Sequence, residues 1–333
     1  MPVLASSTVS QALRRAAVRA TLAPSVHNTQ PWRFVLGPDF LEVHADSARR
    51  LTVLDPSGRQ LIISCGCALF NARVSLAAAG FRAGVERVRD PQHPTLLARI
   101  TVDGETAPGD PETEALAALD PVVELRRTNR RQFADDPVPQ ELVESLVAAA
   151  AAEHAELDPV VRAEDRVVTA VLSQRADQQQ NADPAYRAEL RAWTSDDPRR
   201  DDGVPSSAVP HAVAGGHDEI PIRDFDTHGT GALPTETRSN LHQCLLLLGT
   251  SSDDTDAWLR AGEALERILL EITRHGFVAS PLTQVIEVPV TRGALRRELR
   301  LATQPHVLLR VGRAAPTPAP RRRRLVDMLS DAP

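Results

Sequence analysis

Apolar residues along this chain fall into long blocks of helical period, separated by short alternating or wholly apolar runs. Leu13, Ala16, Ala17 and Ala20 mark one face of a helix over Ser10–Leu22, with Ser10 as its expected N-cap and Pro24 beyond its end. Trp32–Leu36 and Phe40–His44, joined by Gly37-Pro38-Asp39, read as a hairpin. Arg59–Ala79 is a long helix, apolar nearly all round, which predicts a buried central position. Leu96–Val102 reads as a strand, and Asp103–Asp120 as an acidic linker with room for a short helix. Helices follow over Pro139–Ala152, Asp165–Asn181 and Pro184–Trp193. Leu241–Leu248 is an apolar strand, Ala257–Arg274 a helix, Thr291–Leu301 a short helix and Val307–Val311 a last strand before a Pro/Ala spacer, the run Arg321–Arg324 and a tail. Between them, Thr194–Pro234 is rich in Gly, Pro, Asp and His without clear period. A stretch of that length is usually a lid or a disordered loop.

Two of these blocks resemble each other. GCALFNARVSLAAAGF, Gly66–Phe81, aligns without gaps on GEALERILLEITRHGF, Gly262–Phe277, at an offset of 196. Gly66/Gly262, Ala68/Ala264, Leu69/Leu265, Gly80/Gly276 and Phe81/Phe277 match. Composition alone makes Ala/Leu-rich helices alike, but the shared Gly…Gly-Phe frame points to an internal duplication: two related halves about a pseudo-two-fold axis.

Composition narrows the functional classes. A net charge of −6 over 333 residues argues against general nucleic-acid binding, and aromatics at 3% leave an aliphatic core. Cys65, Cys67 and Cys244 read as free, buried thiols; the C-x-C spacing is too short for the usual zinc half-site, and no metal-ligand spacing occurs elsewhere. The first residues turn polar at once, without a leader's apolar stretch, and no apolar run has the length of a membrane span. The expectation is a cytoplasmic protein that binds neither membrane nor nucleic acid.

The densest chemistry is RRTNRRQF, Arg126–Phe133, with a second arginine run at Arg321–Arg324. Such a cluster is either a solvated charge run or an anion cradle. Arginine offers phosphate a planar fork of donors, so two or three together can neutralise a phosphate ester. No Ser-His-Asp or Cys-His constellation, P-loop or Gly-rich dinucleotide turn accompanies it.

PSVHNTQPW matches the PSxxNxQPW signature of the nitroreductase-like flavoproteins. RRTNRRQF resembles that family's opening RRSxRxF with one residue added. Together with DPSGRQLIISCG and HGFVASPLTQVIEVP, these segments look like the Acg-type branch, two nitroreductase-like halves fused. The resemblance implies an α+β nitroreductase-like fold: an internally duplicated pseudo-dimer whose antiparallel or mixed sheets are packed by long central helices. Residues 1–120 would form the first half and 121–333 the second, with an insertion at 194–234 and a basic tail.

It also implies FMN as cofactor and NAD(P)H as electron donor, with the chemistry carried by FMN and no catalytic side chain assigned. Carried over by motif, Arg127, Asn129 and Arg131 would bind the phosphate, joined by Arg322 or Arg323. Pro24, Ser25, His27 and Asn28 would meet the ring, with Ser280, Pro281, Leu282 and Thr283 lying over it and Arg238 near its pyrimidine edge. The added residue leaves open whether Arg126 or Arg130 also faces the phosphate.

The first half lacks the arginine-rich opening and the second lacks PSxxNxQPW, so one composite site is expected of two. The function implied is FMN-dependent transfer of electrons from NAD(P)H to a small acceptor such as a nitroaromatic or quinone by a ping-pong route. Two alternatives stay open: a protein that sequesters flavin under a lid, and a biosynthetic dehydrogenase or oxidase on the same fold. The chain would be a monomeric pseudo-dimer, with further homodimerisation left open.

Overall fold

The computed structural model describes residues 2–88, 90–107, 109–131, 133–209, 211–212, 220–225, 235–236 and 243–332. The chain runs α1 (Pro2–Ala20), β1 (Trp32–Leu36), β2 (Phe40–Ala45), α2 (Arg59–Ala78), β3 (Phe81–Arg87), β4 (Leu96–Glu105), α3 (Pro111–Ala117) and α4 (Asp120–Val123). It continues α5 (Gln140–Ala152), β5 (Glu156–Pro159), α6 (Ala163–Asn181), α7 (Pro184–Ala192), β6 (His211–Ala212), β7 (Thr235–Glu236), β8 (Cys244–Thr250), α8 (Thr255–Arg274) and β9 (Val278–Leu282). Then come α9 (Gln284–Glu287), α10 (Pro289–Glu298), β10 (Gln304–Gly312) and β11 (Leu329–Asp331).

Two sheets carry the architecture, and they share one plan. The first has the order β11-β1-β2-β4-β3 and the second β5-β8-β10-β9. Without β11, each places its first strand at an edge, its second beside it, its fourth next and its third last, with every neighbouring pair antiparallel. A helix precedes the first strand of each set (α1, α5), and a longer one joins the second strand to the third (α2, α8). The duplication seen in the sequence is therefore a duplication of fold. β11 breaks the symmetry: the tail returns to pair parallel with β1, so the C-terminus closes the first sheet.

The two long helices cross at their matched glycines. A Cβ on Gly66 would lie 2.1 Å from the Leu259 carbonyl oxygen, and one on Gly262 would lie 2.0 Å from that of Ile63. Ile63 and Leu259 are themselves counterparts at the same offset of 196, so each half presents the same surface to the other. Only glycine permits this approach. α2 is long and apolar enough to cross a membrane, yet most of it is buried within the protein. One aliphatic core spans both sides of the crossing, from Leu13, Phe34 and Leu69 to Leu265, Ile268 and Leu309.

Several boundaries differ from the sequence reading. α1 begins at Pro2, so Ser10 lies inside the helix; proline is well suited to a first helical position. α8 is capped by Asp254, which accepts from the Ala257 amide at 3.0 Å. β3 follows directly from the Gly80 turn, where φ is +80°, and the tail is a strand. Insertion residues 194–209 and 220–225 pack rather than dangle: Val204, Val209 and Phe225 bury against Leu51, Leu54, Tyr186 and Leu190.

Candidate functional site

The turn between α1 and β1 carries the PSVHNTQPW motif, and its backbone is unusual. His27, Asn28 and Gln30 all sit in the left-handed region, with φ of +47°, +54° and +49°. Non-glycine residues rarely adopt it, and clusters of such strain mark functional sites. The turn is held from several sides. Ser25 Oγ accepts from the Gln30 amide at 2.9 Å, and the Val26 amide donates to Ser64 Oγ on α2 at 3.3 Å. Gln30 is buried; its amide nitrogen donates to the Asp201 carbonyl at 2.9 Å, and its side-chain oxygen accepts from the Arg323 amide at 2.8 Å. Asn28 donates to the carbonyls of Gly203 and Arg321 and accepts from Arg322 at 2.7 Å. The motif thereby ties the insertion and the C-terminal tail to the first half.

Two adjoining cavities open beside this turn and share Pro24, Ser25, Thr128 and Arg130 as a common wall. The larger encloses about 810 Å³ of atom-free space, part of it open to solvent. Its walls come from His27, from Gln60, Ser64 and Cys67 on α2, from Ser280–Gln284 at the end of β9, and from Ile222, Arg223 and Phe225 of the insertion. The smaller, about 480 Å³, is cationic: Arg126, Arg127, Arg130 and Arg322 line it with Asn28, Gly203 and Thr317.

Polar atoms in these walls are left without protein partners. His27 is buried with neither ring nitrogen hydrogen-bonded, and Gln60 Nε2 and Ser280 Oγ are likewise unpaired on the larger cavity. Arg126, Thr317 and Arg322 carry unpaired atoms on the smaller one. Buried polar groups normally find partners, so such a cluster at one place marks a polar ligand site.

Burial pushes His27 well below the usual histidine range, and the nearby guanidiniums of Arg223 and Arg130 push the same way, so its imidazole is neutral. Burial, then Arg223, brings Arg130 down to about 10. Burial, then Arg126 and Arg127, brings Arg322 to about 9. These are desolvated, mutually repelling cations, which an incoming anion would relieve.

The sequence expectations are brought together only in part. Pro24, Ser25, His27, Ser280, Pro281, Leu282 and Thr283 line the larger cavity, and Arg127, Asn28 and Arg322 the smaller. Asn129 and Arg131 line neither. Asn129 is buried with its side chain spent on the Ala315 carbonyl and the Arg131 amide, and Arg131 is exposed. The reason is register. Thr128 bridges Ala279 of β9; Thr128 and Arg130 line both cavities, whereas Asn129 is turned to Ala315 and Arg131 to solvent. Phe133 is fixed below, stacked under the Arg310 guanidinium at 4.1 Å. Thr128 and Arg130 line the cavities where Asn129 and Arg131 were expected.

Arg323 also lies outside both cavities, its guanidinium donating to the carbonyls of Gln30 and Asp327. Arg238 lies outside the described residues. Trp32 is fully buried in the core.

Other lining residues carried no motif. Gln60, Ser64 and Cys67, at spacings of four and three, fall on one face of α2, a signal that was there to be read. Arg223 and Phe225 had none. Arg223 is held by Glu287 at 2.7 Å and by the Tyr186 hydroxyl, and Phe225 meets His27 edge-on at 5.7 Å. Among the described residues no group of acidic, histidine or cysteine side chains could hold a metal ion.

Comparison with known proteins gives this geometry a family. The chain is 36% identical over 331 residues to "Putative NAD(P)H nitroreductase Rv3131" of Mycobacterium tuberculosis, covering 96% of this chain and 91% of that one. It is 32% identical over 317 residues to "Putative NAD(P)H nitroreductase acg" of the same organism, covering 93% of each. The chain belongs to this NAD(P)H nitroreductase-like family of oxidoreductases. No protein-family model matches it. Among solved structures, the FMN-dependent nitroreductase NfnB of Mycobacterium smegmatis, crystallised with NADPH, overlays at 16% identity and a TM-score of 0.36, covering 63% of this chain and 96% of that one. An overlay that loose supports no argument about function.

Proposed function

We propose that this protein uses FMN to pass electrons from NAD(P)H to a small acceptor, a nitroaromatic, quinone or similar compound, by a ping-pong route. The observation that supports this is the pairing of a cationic cavity with a larger, mixed one, both lined by buried polar atoms that lack protein partners. FMN has that composition: a phosphate ester at one end and a planar ring with a polar edge at the other. When bound, it supplies the hydride chemistry.

The chain's own residues have four tasks. Arg127, Arg130 and Arg322, lining the smaller cavity, would neutralise the phosphate. His27, Gln60 and Ser280 would hydrogen-bond the ring's polar edge, with neutral His27 able to donate from one nitrogen and accept at the other. Ile63, Leu265 and Val307 provide the apolar wall, and the insertion residues Ile222 and Phe225 keep water from one side. Pro24 and Ser25 form the common wall that sets the phosphate end apart from the ring end. The same reading divides the chain near residue 120 into two halves with a single composite site. It makes the protein a cytoplasmic, monomeric pseudo-dimer acting on small molecules, not on nucleic acid or membranes.

One observation favours the sequestering alternative. Arg223 and Phe225 stand in the cavity wall, and Arg223 is locked there by Glu287. A segment pinned so firmly could hold flavin rather than admit substrates. Anaerobic addition of NADPH or NADH to the purified yellow protein separates the two. Bleaching followed by re-oxidation with a quinone or nitroaromatic is expected of the enzyme. A spectrum that no nicotinamide changes would leave storage as the function, and a protein that takes up no FMN would end both readings.

A further inference from the structure

Behind the cationic cavity lies a group to which the flavin reading gives no task. Glu266, in the middle of α8, is fully buried. One of its oxygens is 3.5 Å from Arg126 Nε, and neither oxygen accepts a hydrogen bond in good geometry. Arg126 is equally incomplete: Nε and one terminal nitrogen are unpaired, and the other terminal nitrogen reaches only the Leu22 carbonyl at 3.4 Å. A buried ion pair without hydrogen bonds to complete it is a costly arrangement. The fold does not demand a carboxylate there. The counterpart of Glu266, 196 residues earlier, is Phe70, which is buried just as fully.

The surroundings show what Glu266 is directed at. From the Arg126–Arg131 segment it faces Arg126, from the tail Arg322, and from α2 the Asn71 amide and the Cys67 thiol. Along its own helix, Glu263 is already tied to Arg73 and Arg87, and Arg267 to Glu153. The counter-charges left to Glu266 are therefore Arg126 and Arg322, and both line the cationic cavity.

We propose that Glu266 is a positioning residue for that cavity: a resident anion that orients Arg126 and Arg322 before a phosphate ester arrives, then competes with it, so that phosphate binding is coupled to protonation of Glu266. The inference rests on the phosphate reading of the smaller cavity. Its direction follows from charge. A phosphate in front of Arg126 and Arg322 places a second anion on the same guanidiniums, and two anions sharing one site favour the protonated form of one. Burial already lifts Glu266 to about 7, against the pull of Arg126. Ionised Glu266 opposes the phosphate, so this coupling weakens binding as pH rises through neutrality. The phosphate's own second ionisation, at about pH 6, acts in the opposite sense, because the dianion pairs better with arginine.

The test titrates FMN and riboflavin into the flavin-free full-length protein by flavin fluorescence, between about pH 6 and pH 8.5, for wild type and Glu266→Gln. The variant carries no titrating group at this position, so its profile follows the phosphate alone; the difference in slope is what identifies competition. Relative to the variant, wild-type affinity for FMN is expected to fall by about tenfold across the window, the factor that one unit of mutual pKa shift gives. Riboflavin, which lacks the phosphate, should show no such divergence. A second measurement needs no variant: calorimetry of FMN binding to the wild type in two buffers of different protonation enthalpy should reveal proton uptake near neutral pH, absent with riboflavin.

Parallel FMN profiles for wild type and variant, or FMN binding without proton uptake, would overturn the role of Glu266 while leaving the cofactor reading intact. Binding of riboflavin as tight as FMN would overturn the phosphate cradle and this inference with it. Binding of neither flavin would overturn the cofactor reading itself.

Discussion

Cys67 on α2 lines the larger cavity; Glu263, its counterpart 196 residues later on α8, is fully buried among charges. Glu263 is 2.8 Å from Arg73 and 2.6 Å from Arg87, and Arg73 reaches Glu153 at 2.6 Å, which Arg267 meets at 2.8 Å. The turn before the first strand differs as sharply. In the first half residues 21–31 link α1 to β1 and carry the strained motif; in the second only residues 153–155 link α5 to β5. Two halves of the same strand order have thus treated one position in opposite ways. One half keeps space and unpaired polar atoms; the other closes the place with a short turn and an ion network. Symmetric packing at Gly66 and Gly262 preserves the shared frame.

This contrast can be attacked from either side. The largest effect is expected at the open site: Arg130→Ala with Arg322→Ala removes two half-buried cations, each worth about 1.5–3 kcal/mol in charged hydrogen bonds, so FMN affinity should fall by about a hundredfold or more while circular dichroism is unchanged. Full flavin content in that double variant would refute the cradle. Next is the closed site. Glu263→Ala leaves Arg87 without its carboxylate and Arg73 with Glu153 in place of two partners, and should cost about 3–5 kcal/mol in urea unfolding, without changing the number of flavins bound per chain. A variant as stable as wild type would mean that the cluster is not what holds this region. Smaller again, Gly66→Ala and Gly262→Ala each force a methyl against a carbonyl and should cost about 1–3 kcal/mol, equally within error. Unequal costs would show that the crossing is less symmetric than its geometry. Last, Arg131→Ala should leave flavin content unaltered and stability within about 0.5 kcal/mol, because its side chain is exposed.

How much of this was written in the chain varies by residue. Duplication was legible because glycines at the crossing cannot be replaced: Gly66, Gly262 and the Gly-Phe exits form a frame that survives divergence. His27, Pro24 and Ser280 were legible from motifs at fixed spacing, and the structure sets them on one cavity. Arg130 against Arg131 was not. Both are arginines of one cluster, one residue apart, and nothing local to the sequence separates them. The bridge between Thr128 and Ala279, a contact between segments 151 residues apart, settles it. Asn28 lines the smaller cavity while also bonding Gly203 and Arg321, and Arg323 is turned to the Gln30 carbonyl: motif spacing says where a polar side chain stands, not what other segments it meets.

By itself, then, the sequence determined the repeated frame and the aliphatic core. These follow from local pattern, from helical period, glycine spacing and turn residues, which act over a few neighbours. Only the tertiary structure decided which arginines share a cavity, that the insertion contributes Arg223 and Phe225 to its wall, and that Glu266 stands behind it. Those facts depend on charges and surfaces that lie far apart along the chain and meet only when it folds, where burial makes each unpaired atom costly enough to matter.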